Sequence, residues 1–316
     1  RTCLVGSEMC IRDRSTSSPL IKNESVLTSK INYSKNIDSN TEFKTNFIAY
    51  EDLSKRNNDR LQYILPNFTF TKNLELDENY NGSFKFRSSG FQKNYDTNKY
   101  ETLLINDFLF KSNDYINNKG IKTNYDLLLK NFNSYTENST SYKEKEDYEV
   151  FGTLLINTSL PLKKITKYGN DYLKPITSFR YSPNNTKNIS NKNKRLSYNN
   201  IFALNRIGTN QIVEGGKSMS IGFEYEKRNK DDKKLLSVSL ANSLRDRSNN
   251  NLPSKTKLNE ERSDIVGKFS FSPNKVLNFD YSFSYDNNLK NSNYDSISTS
   301  INSVSYTHLR AHETSP

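Results

Sequence analysis

Polar and apolar residues alternate along most of this chain, and the segment 276–286, which reads VLNFDYSFSYD, shows the alternation most clearly. Successive side chains of a β-strand point to opposite faces, so this segment has one apolar and one polar face. The apolar face consists of Leu277, Phe279, Tyr281, Phe283 and Tyr285. The polar face consists of Asn278, Asp280, Ser282, Ser284 and Asp286. Such two-faced segments are typical of strands that cross a membrane as part of a β-barrel.

Similar segments recur between about Val26 and Asn302, and helical spacing explains none of them well. Examples carry Phe43 and Phe47, or Met219, Ile221 and Phe223, at alternate positions. We therefore predict an all-β fold, namely an incomplete antiparallel transmembrane β-barrel with about thirteen strands of a larger barrel.

The connections between segments alternate in length. The links 272–275 and 228–233 are short and polar, whereas 246–261 is long, as expected for periplasmic turns and external loops. Counting 196–206 as a spanning strand would break this alternation, so we expect 183–216 to be one long external excursion. Its apolar residues suggest that it folds inward or across the barrel mouth, anchored by Arg206 and Glu214. A hairpin that extends the sheet beyond the membrane is the alternative.

The two ends of the chain differ from its Asn/Ser/Lys/Tyr-rich interior. Residues 1–14 and 304–316 resemble translated sequencing-adapter read-through, and they contain both cysteines and both histidines. We treat them as non-native tails and predict one barrel domain over 15–303. Because this interior has no His or Cys, it cannot form a Ser–His–Asp or Cys–His arrangement. We expect no enzyme activity, no cofactor and no metal site.

Composition agrees with strands that bury only one face. The 316 residues are 33% apolar with a mean hydropathy of −0.86, which is poor for a soluble core but compatible with a barrel that has a wet lumen. The net charge is +11, of which the tails contribute +1. A net positive charge can indicate that a protein binds nucleic acid or anionic lipid. We attribute it mainly to AT-rich codon usage and expect no nucleic-acid partner.

Four passages in the centre of the chain occur in a characteristic order. They are LKPI at 173–176, RYSP at 180–183, NIFALNRIG at 200–208 and VEGGKSMSIGFEY at 213–225. Together they resemble the C-terminal barrel domain of the LptD family, also called organic solvent tolerance proteins. The resemblance implies structural or lumen-lining roles for a set of motif positions. These are Pro175, Tyr181, Pro183, Phe202, Asn205, Arg206, Glu214, Gly215 and Gly216.

The resemblance also implies a function. That family inserts lipopolysaccharide (LPS) into the outer leaflet of the Gram-negative cell outer membrane. The expected partners are LPS, outer-membrane lipid, an LptE-like lipoprotein plug, and periplasmic LPS-transport bridge proteins reached through an N-terminal domain. That domain, the closing strands and the family's disulfide cysteines are not in this sequence, so we expect a fragment that is not functional alone.

Two other functions are compatible with the alternation. A generic outer-membrane porin or receptor barrel would need neither a lipoprotein partner nor a seam. A soluble extracellular β-sandwich or adhesin would also alternate polar and apolar faces. An upstream β-jellyroll would favour lipid export, and a folded monomer soluble without detergent would favour the sandwich.

Overall fold

A computed structural model describes residues 25–76, 80–95, 98–274 and 276–301. These residues form a single antiparallel sheet of fifteen strands. The strands are β1 (Val26–Asn36), β2 (Thr41–Asp52), β3 (Leu61–Glu75), β4 (Gly82–Tyr95), β5 (Lys99–Ser112), β6 (Tyr115–Ile116), β7 (Lys122–Glu137), β8 (Lys145–Ser159), β9 (Leu162–Thr166), β10 (Gly169–Ser182), β11 (Gly216–Asn229), β12 (Lys234–Arg245), β13 (Ile265–Phe271), β14 (Leu277–Tyr285) and β15 (Ser292–Ile301). Short 3-10 turns lie at Asn57–Arg60 and Lys255–Lys257.

Thirteen of these strands follow one another across the sheet, in the order β1-β2-β3-β4-β5-β7-β8-β10-β11-β12-β13-β14-β15. The short β6 pairs with β7, and β9 continues the edge of β8 alongside β10. Among the described residues, the edge strands β1 and β15 do not pair with each other, so the sheet is open. The predicted fold, an incomplete antiparallel barrel with about thirteen principal strands, is confirmed.

The two faces of the sheet differ in chemistry, as β10 and β11 illustrate. On the outer face, Phe179 lies opposite Met219 in register, and Ile221 is 47% exposed. On the inner face, Ser178 lies opposite Ser220, and both are buried. The exposed face of this sheet is apolar, and its covered face carries serine hydroxyl groups. This distribution is the reverse of that in a soluble protein and fits the wall of a membrane barrel.

The strands β5, β7 and β8 depart from this rule on both faces. Their inner face carries four buried apolar side chains, which are Leu103, Ile105, Phe132 and Phe151. Their outer face carries Asn106 and Asn131, whose amides are hydrogen-bonded at 3.2 Å. The inner face of this part of the wall is therefore apolar, because a loop covers it.

Short and long connections alternate along the second half of the sheet. Residues 183–215 and 246–264 contain no strand and lie at the same end, where the Ile189 amide donates to the Asn251 carbonyl at 2.8 Å. The segment 196–206 is not a strand, as the alternation of connection lengths predicted. The predicted tails 1–14 and 304–316 lie outside the described residues.

In the described part of the chain, no helix has the length and apolar character needed to cross a membrane.

Candidate functional site

The loop 183–215, called here the inner loop, packs against the inner face of the sheet rather than extending away from it. Four of its apolar side chains, Ile189, Leu196, Ile201 and Ile207, are at most 2% exposed. They pack with side chains of the neighbouring loop and of two strands, which are Leu252, Leu258, Ala241 and Val266. Burial of this many apolar side chains holds the inner loop on the sheet, at roughly 1.5–3 kcal/mol for each.

The inner loop also contacts strands far to either side of its own ends. Val213 packs in the apolar cluster formed by β5, β7 and β8. Close by, the ammonium of Lys130 on β7 pairs with Asp107 and donates to the Asn210 carbonyl at 2.7 Å. In the other direction, the Arg195 guanidinium lies 4.0 Å from the ring centroid of Tyr294 on β15. The loop therefore spans the inner face from β5 to β15.

The centre of this interface is a buried ion pair. Arg206 Nε donates to Glu214 Oε2 at 3.0 Å, and a second bond joins Nη2 to Oε1 in a bidentate arrangement. Both side chains are 1% exposed. The guanidinium also donates to three hydroxyls of the strand wall, which are Ser218 (3.0 Å), Ser220 (3.3 Å) and Ser243 (2.7 Å). The inward serines of β11 and β12 thus complete the hydrogen bonding of a loop arginine.

Two further arginines from the strands surround the same carboxylate. Arg245 of β12 donates to Glu214 Oε1 and, at 2.8 Å, to the Gly215 carbonyl. Arg180 of β10 donates to the Leu204 carbonyl at 3.0 Å, while its Nη1 is buried without a hydrogen-bond partner. Three guanidinium groups therefore surround one carboxylate, which leaves an excess of buried positive charge.

This arrangement determines the protonation of Glu214. Burial by itself would raise the pKa of its carboxyl group, because desolvation disfavours the charged form. The positive charges of Arg206 and Arg180 outweigh burial and hold the pKa of Glu214 well below its ordinary value of 4.5. Glu214 is therefore ionised at neutral pH and acts as a permanent counter-charge.

Two other motif positions of the family resemblance, Asn205 and Phe202, shape the inner loop near this pair. Asn205 closes a turn, because its side chain accepts from the Gly208 amide at 3.0 Å and donates to the Thr209 carbonyl at 2.7 Å. Phe202 packs against the buried cluster and meets Tyr198 edge to face, with ring centroids 5.8 Å apart. Both residues therefore organise the loop around Arg206.

Four more of these motif positions come together at the loop end of the sheet. Tyr181, Pro183, Gly215 and Gly216 all line one cavity of about 630 Å³, called here the rim cavity. Gly215 is required there because a Cβ atom would lie 1.9 Å from the Asn184 carbonyl oxygen. Gly216 has a φ of +92°, a region that favours glycine.

Pro175 lies apart from the other motif positions. It occupies the middle of β10 opposite Phe223, on the outer face, and therefore does not line the inner face.

The sequence reasoning assigned no site role to several residues that complete the network. Arg180 lies inside the quoted passage 180–183 and Arg245 lies outside all four passages, and nothing local marks either as a partner of Glu214. The alternation itself contained the available signal, since Ser218, Ser220 and Ser243 fall on the inward positions of two adjacent strands.

A second cavity, of about 490 Å³ and called here the inner cavity, opens on the inner face beside the inner loop. It is lined by Lys122, Asn124, Asn157, Ser159, Lys174, Ile176, Tyr198, Asn199, Phe202 and Glu224. Lys174 Nζ lies 3.2 Å from Glu224 Oε2. This cavity offers amides, paired charges and two aromatic rings to a hydrated interior. Within the described ranges, no group of three or more acidic, histidine or cysteine side chains is placed to hold a metal.

Comparison with known proteins gives one family. The family model described as "LptD: LPS transport system D" matches residues 14–313, nearly the whole chain. No curated protein matches the chain.

Proposed function

Because the chain belongs to the LptD family, a family of LPS transport and assembly proteins, we propose that it forms part of the wall of a barrel in the cell outer membrane. In this proposal the complete barrel is the translocon that inserts LPS into the outer leaflet. The family is not an enzyme family, and we assign the chain no catalytic step.

The observation that carries the proposal is the separation of the two faces of one sheet. LPS has a sugar-phosphate head and several acyl chains, which need different surroundings. The exposed outer positions, such as Phe179 and Ile221, suit acyl chains. The inner cavity, with Lys174, Glu224 and Asn124 in its wall, suits a hydrated saccharide. A barrel with this wall keeps the head in the lumen and the tails in hydrocarbon.

The inner loop has a distinct part in this proposal. Since it covers the inner face from β5 to β15, it narrows the lumen on the external side and leaves the inner cavity open beside it. Its packing on the wall supports the inward-folded alternative over a hairpin that extends the sheet. We propose that the expected LptE-like lipoprotein plug occupies lumen that this loop does not fill. The periplasmic bridge proteins would dock on the proposed N-terminal domain.

Site-specific photo-cross-linking tests the proposal. A photoreactive residue is placed at position 174, in the inner cavity, or at 221, on the outer face, of the full-length parent protein in a Gram-negative host. Position 174 is expected to give an LPS adduct that disappears when LPS supply is blocked upstream. Position 221 serves as the matched control on an adjacent strand and is expected to give adducts with bulk membrane lipid that persist.

The alternatives predict other results. A porin or receptor barrel would give no LPS adduct at position 174, and the reconstituted protein would conduct small solutes without a lipoprotein partner. A soluble sandwich would give no lipid adduct at position 221.

A further inference from the structure

The rim cavity lies between the first residues of the inner loop and the residues that follow β12. Hydrogen bonds tie its two walls together. Asn249 Nδ2 donates to Thr186 Oγ1 at 3.0 Å, and Asn251 Nδ2 donates to the Thr186 carbonyl at 3.0 Å. The cavity is therefore a built feature of two linked loops, and its volume of about 630 Å³ is large enough for a sugar-sized group.

The charges that line this cavity are mostly positive. Lys217, Arg245 and Arg247 face it together with one carboxylate, Asp246. Arg247 Nε is 3.9 Å from Asp246 and its side chain is 83% exposed, so this ion pair is weak. In the described part of the chain, no carboxylate lies within ion-pairing distance of the Lys217 ammonium. Two flexible cations are thus available to an anion.

The floor of the cavity adds positive charge that cannot move. Arg245 is 3% exposed, and it shares Glu214 with Arg206 and Arg180. Its Nε is buried without a hydrogen-bond partner. Excess buried charge is costly unless it is offset. An anion in the cavity would offset it, whereas a neutral ligand would not.

The cavity is continuous with the apolar outer face. Lys217 lies directly opposite Tyr181 in the β10–β11 register, and its ammonium is 5.8 Å from the tyrosine ring centroid. The next outward residues along these strands are Phe179 and Met219, also a register pair, followed by Ile221. These three apolar side chains are 40–47% exposed. A cationic cavity directly above an exposed apolar strip matches an anionic amphiphile better than a free anion.

We propose that the rim cavity binds the phosphorylated headgroup of a membrane lipid whose acyl chains lie along the outer face of β10 and β11. Lys217 and Arg247 contact the phosphate, and Arg245 supplies the underlying positive potential. This site lies at the outer rim of the wall, away from the inner cavity. The inference rests on the proposed function in one respect, since it takes the loop end of the sheet as the external end.

Native mass spectrometry of the full-length parent protein ejected from phosphatidylcholine nanodiscs tests this inference, with a diphosphorylated lipid A as the probe. The Lys217→Gln and Arg247→Gln variants are each expected to weaken lipid A binding about fivefold, the effect of one partly desolvated charge contact. The matched control is Lys227→Gln, which removes another exposed lysine from the outer face of β11 at its opposite end. It is expected to leave the affinity within about twofold, because Lys227 does not line the rim cavity.

Two further arms identify the ligand. Dephosphorylated lipid A is expected to bind equally to wild type and Lys217→Gln, because it lacks the group that Lys217 contacts. Inorganic phosphate is expected to compete weakly, since it gains nothing from the apolar strip. Strong competition by inorganic phosphate, equal to that of lipid A, would overturn the lipid assignment.

The result also separates this inference from the proposed function. If the full-length parent protein enters nanodiscs and both the Lys217→Gln and Arg247→Gln variants bind lipid A like wild type, the rim site is wrong while the barrel assignment is unaffected. If the full-length parent protein does not enter nanodiscs at all, the membrane assignment fails, and the inference fails with it.

Discussion

Arg206 and Glu214 form a bidentate ion pair in which Nε is 3.0 Å from Oε2 and both side chains are 1% exposed. The segment between them, residues 207–213, forms part of a loop that covers the polar face of a membrane-type sheet. The pair joins this loop to three strand serines and a strand arginine, so it fixes the loop to the wall.

The first prediction concerns the carboxylate of this pair. Glu214→Gln leaves Arg206 and Arg245 buried without their counter-charge and is expected to destabilise the fold by about 3 kcal/mol or more. Urea unfolding in detergent micelles measures the loss. Glu226→Gln is the matched control, because Glu226 pairs with Arg228 and Lys234 at a more exposed position of β11. Its expected loss is about 1 kcal/mol or less. Equal losses in the two variants would contradict a special role for Glu214.

The second prediction concerns pH. The pKa of Glu214 is lower in the folded protein than its ordinary value of 4.5, so the folded state binds fewer protons at this site than the unfolded state. Its contribution is fully present above about pH 4.5 and is lost progressively as the pH falls below that value. Hydrogen exchange of residues 183–215 between pH 3 and pH 7 is expected to show release of the loop at the acidic end. Because other carboxylates titrate there too, the control is Glu214→Gln, whose exchange is expected to depend less on pH.

The third prediction compares two glycines. Gly215→Ala would place a Cβ atom 1.9 Å from the Asn184 carbonyl oxygen, so backbone must move. We expect a loss of about 1–3 kcal/mol, the usual cost of overpacking. Gly152→Ala adds a Cβ atom with nothing within 4 Å and is expected to be neutral to within about 0.5 kcal/mol. Thermal unfolding of both variants measures the difference, and a Gly215→Ala variant as stable as Gly152→Ala would show that the two ends of the inner loop do not approach closely.

The fourth prediction concerns depth in the membrane. Ile221 and Leu244 are both exposed on the outer face, but Ile221 lies nearer the middle of its strand and Leu244 near the loop end. Ile221→Arg is expected to destabilise the protein in lipid vesicles by about 2–4 kcal/mol, and Leu244→Arg by about 0–1 kcal/mol. Folding titrations in vesicles give both values. Similar small losses would mean that this face does not meet hydrocarbon.

The local sequence pattern was sufficient to predict the strands and the absence of a strand within the inner loop. Alternation identified the two-faced segments, and the alternation of short and long links excluded a strand at 196–206. The sequence predicts Arg206 and Glu214 as anchors of this apolar-bearing loop, but not their contact with each other. Each of these features depends on residues close together in the chain, where periodicity carries the information.

The remaining features depend on residues that are distant in sequence. Arg245 is 31 residues from Glu214, and only the fold brings them together. The apolar side chains on the inner face of β5, β7 and β8 were not predicted, for a different reason. Leu103, Leu104 and Ile105 are consecutive, so alternation could not decide which of them face inward. Leu103 and Ile105 do so because Val213 of the loop covers them.

The central claim is that the apolar face meets acyl chains while the polar face meets water, and spin-label accessibility in bilayers tests it most directly. In the full-length parent protein, with its native cysteines replaced by serine, single labels are placed at position 221 on the outer face or 174 in the inner cavity. The label at 221 is expected to be relaxed mainly by lipid-soluble oxygen, and the label at 174 mainly by a water-soluble nickel chelate. The reverse pattern, or nickel access at both positions, would contradict the membrane-barrel account.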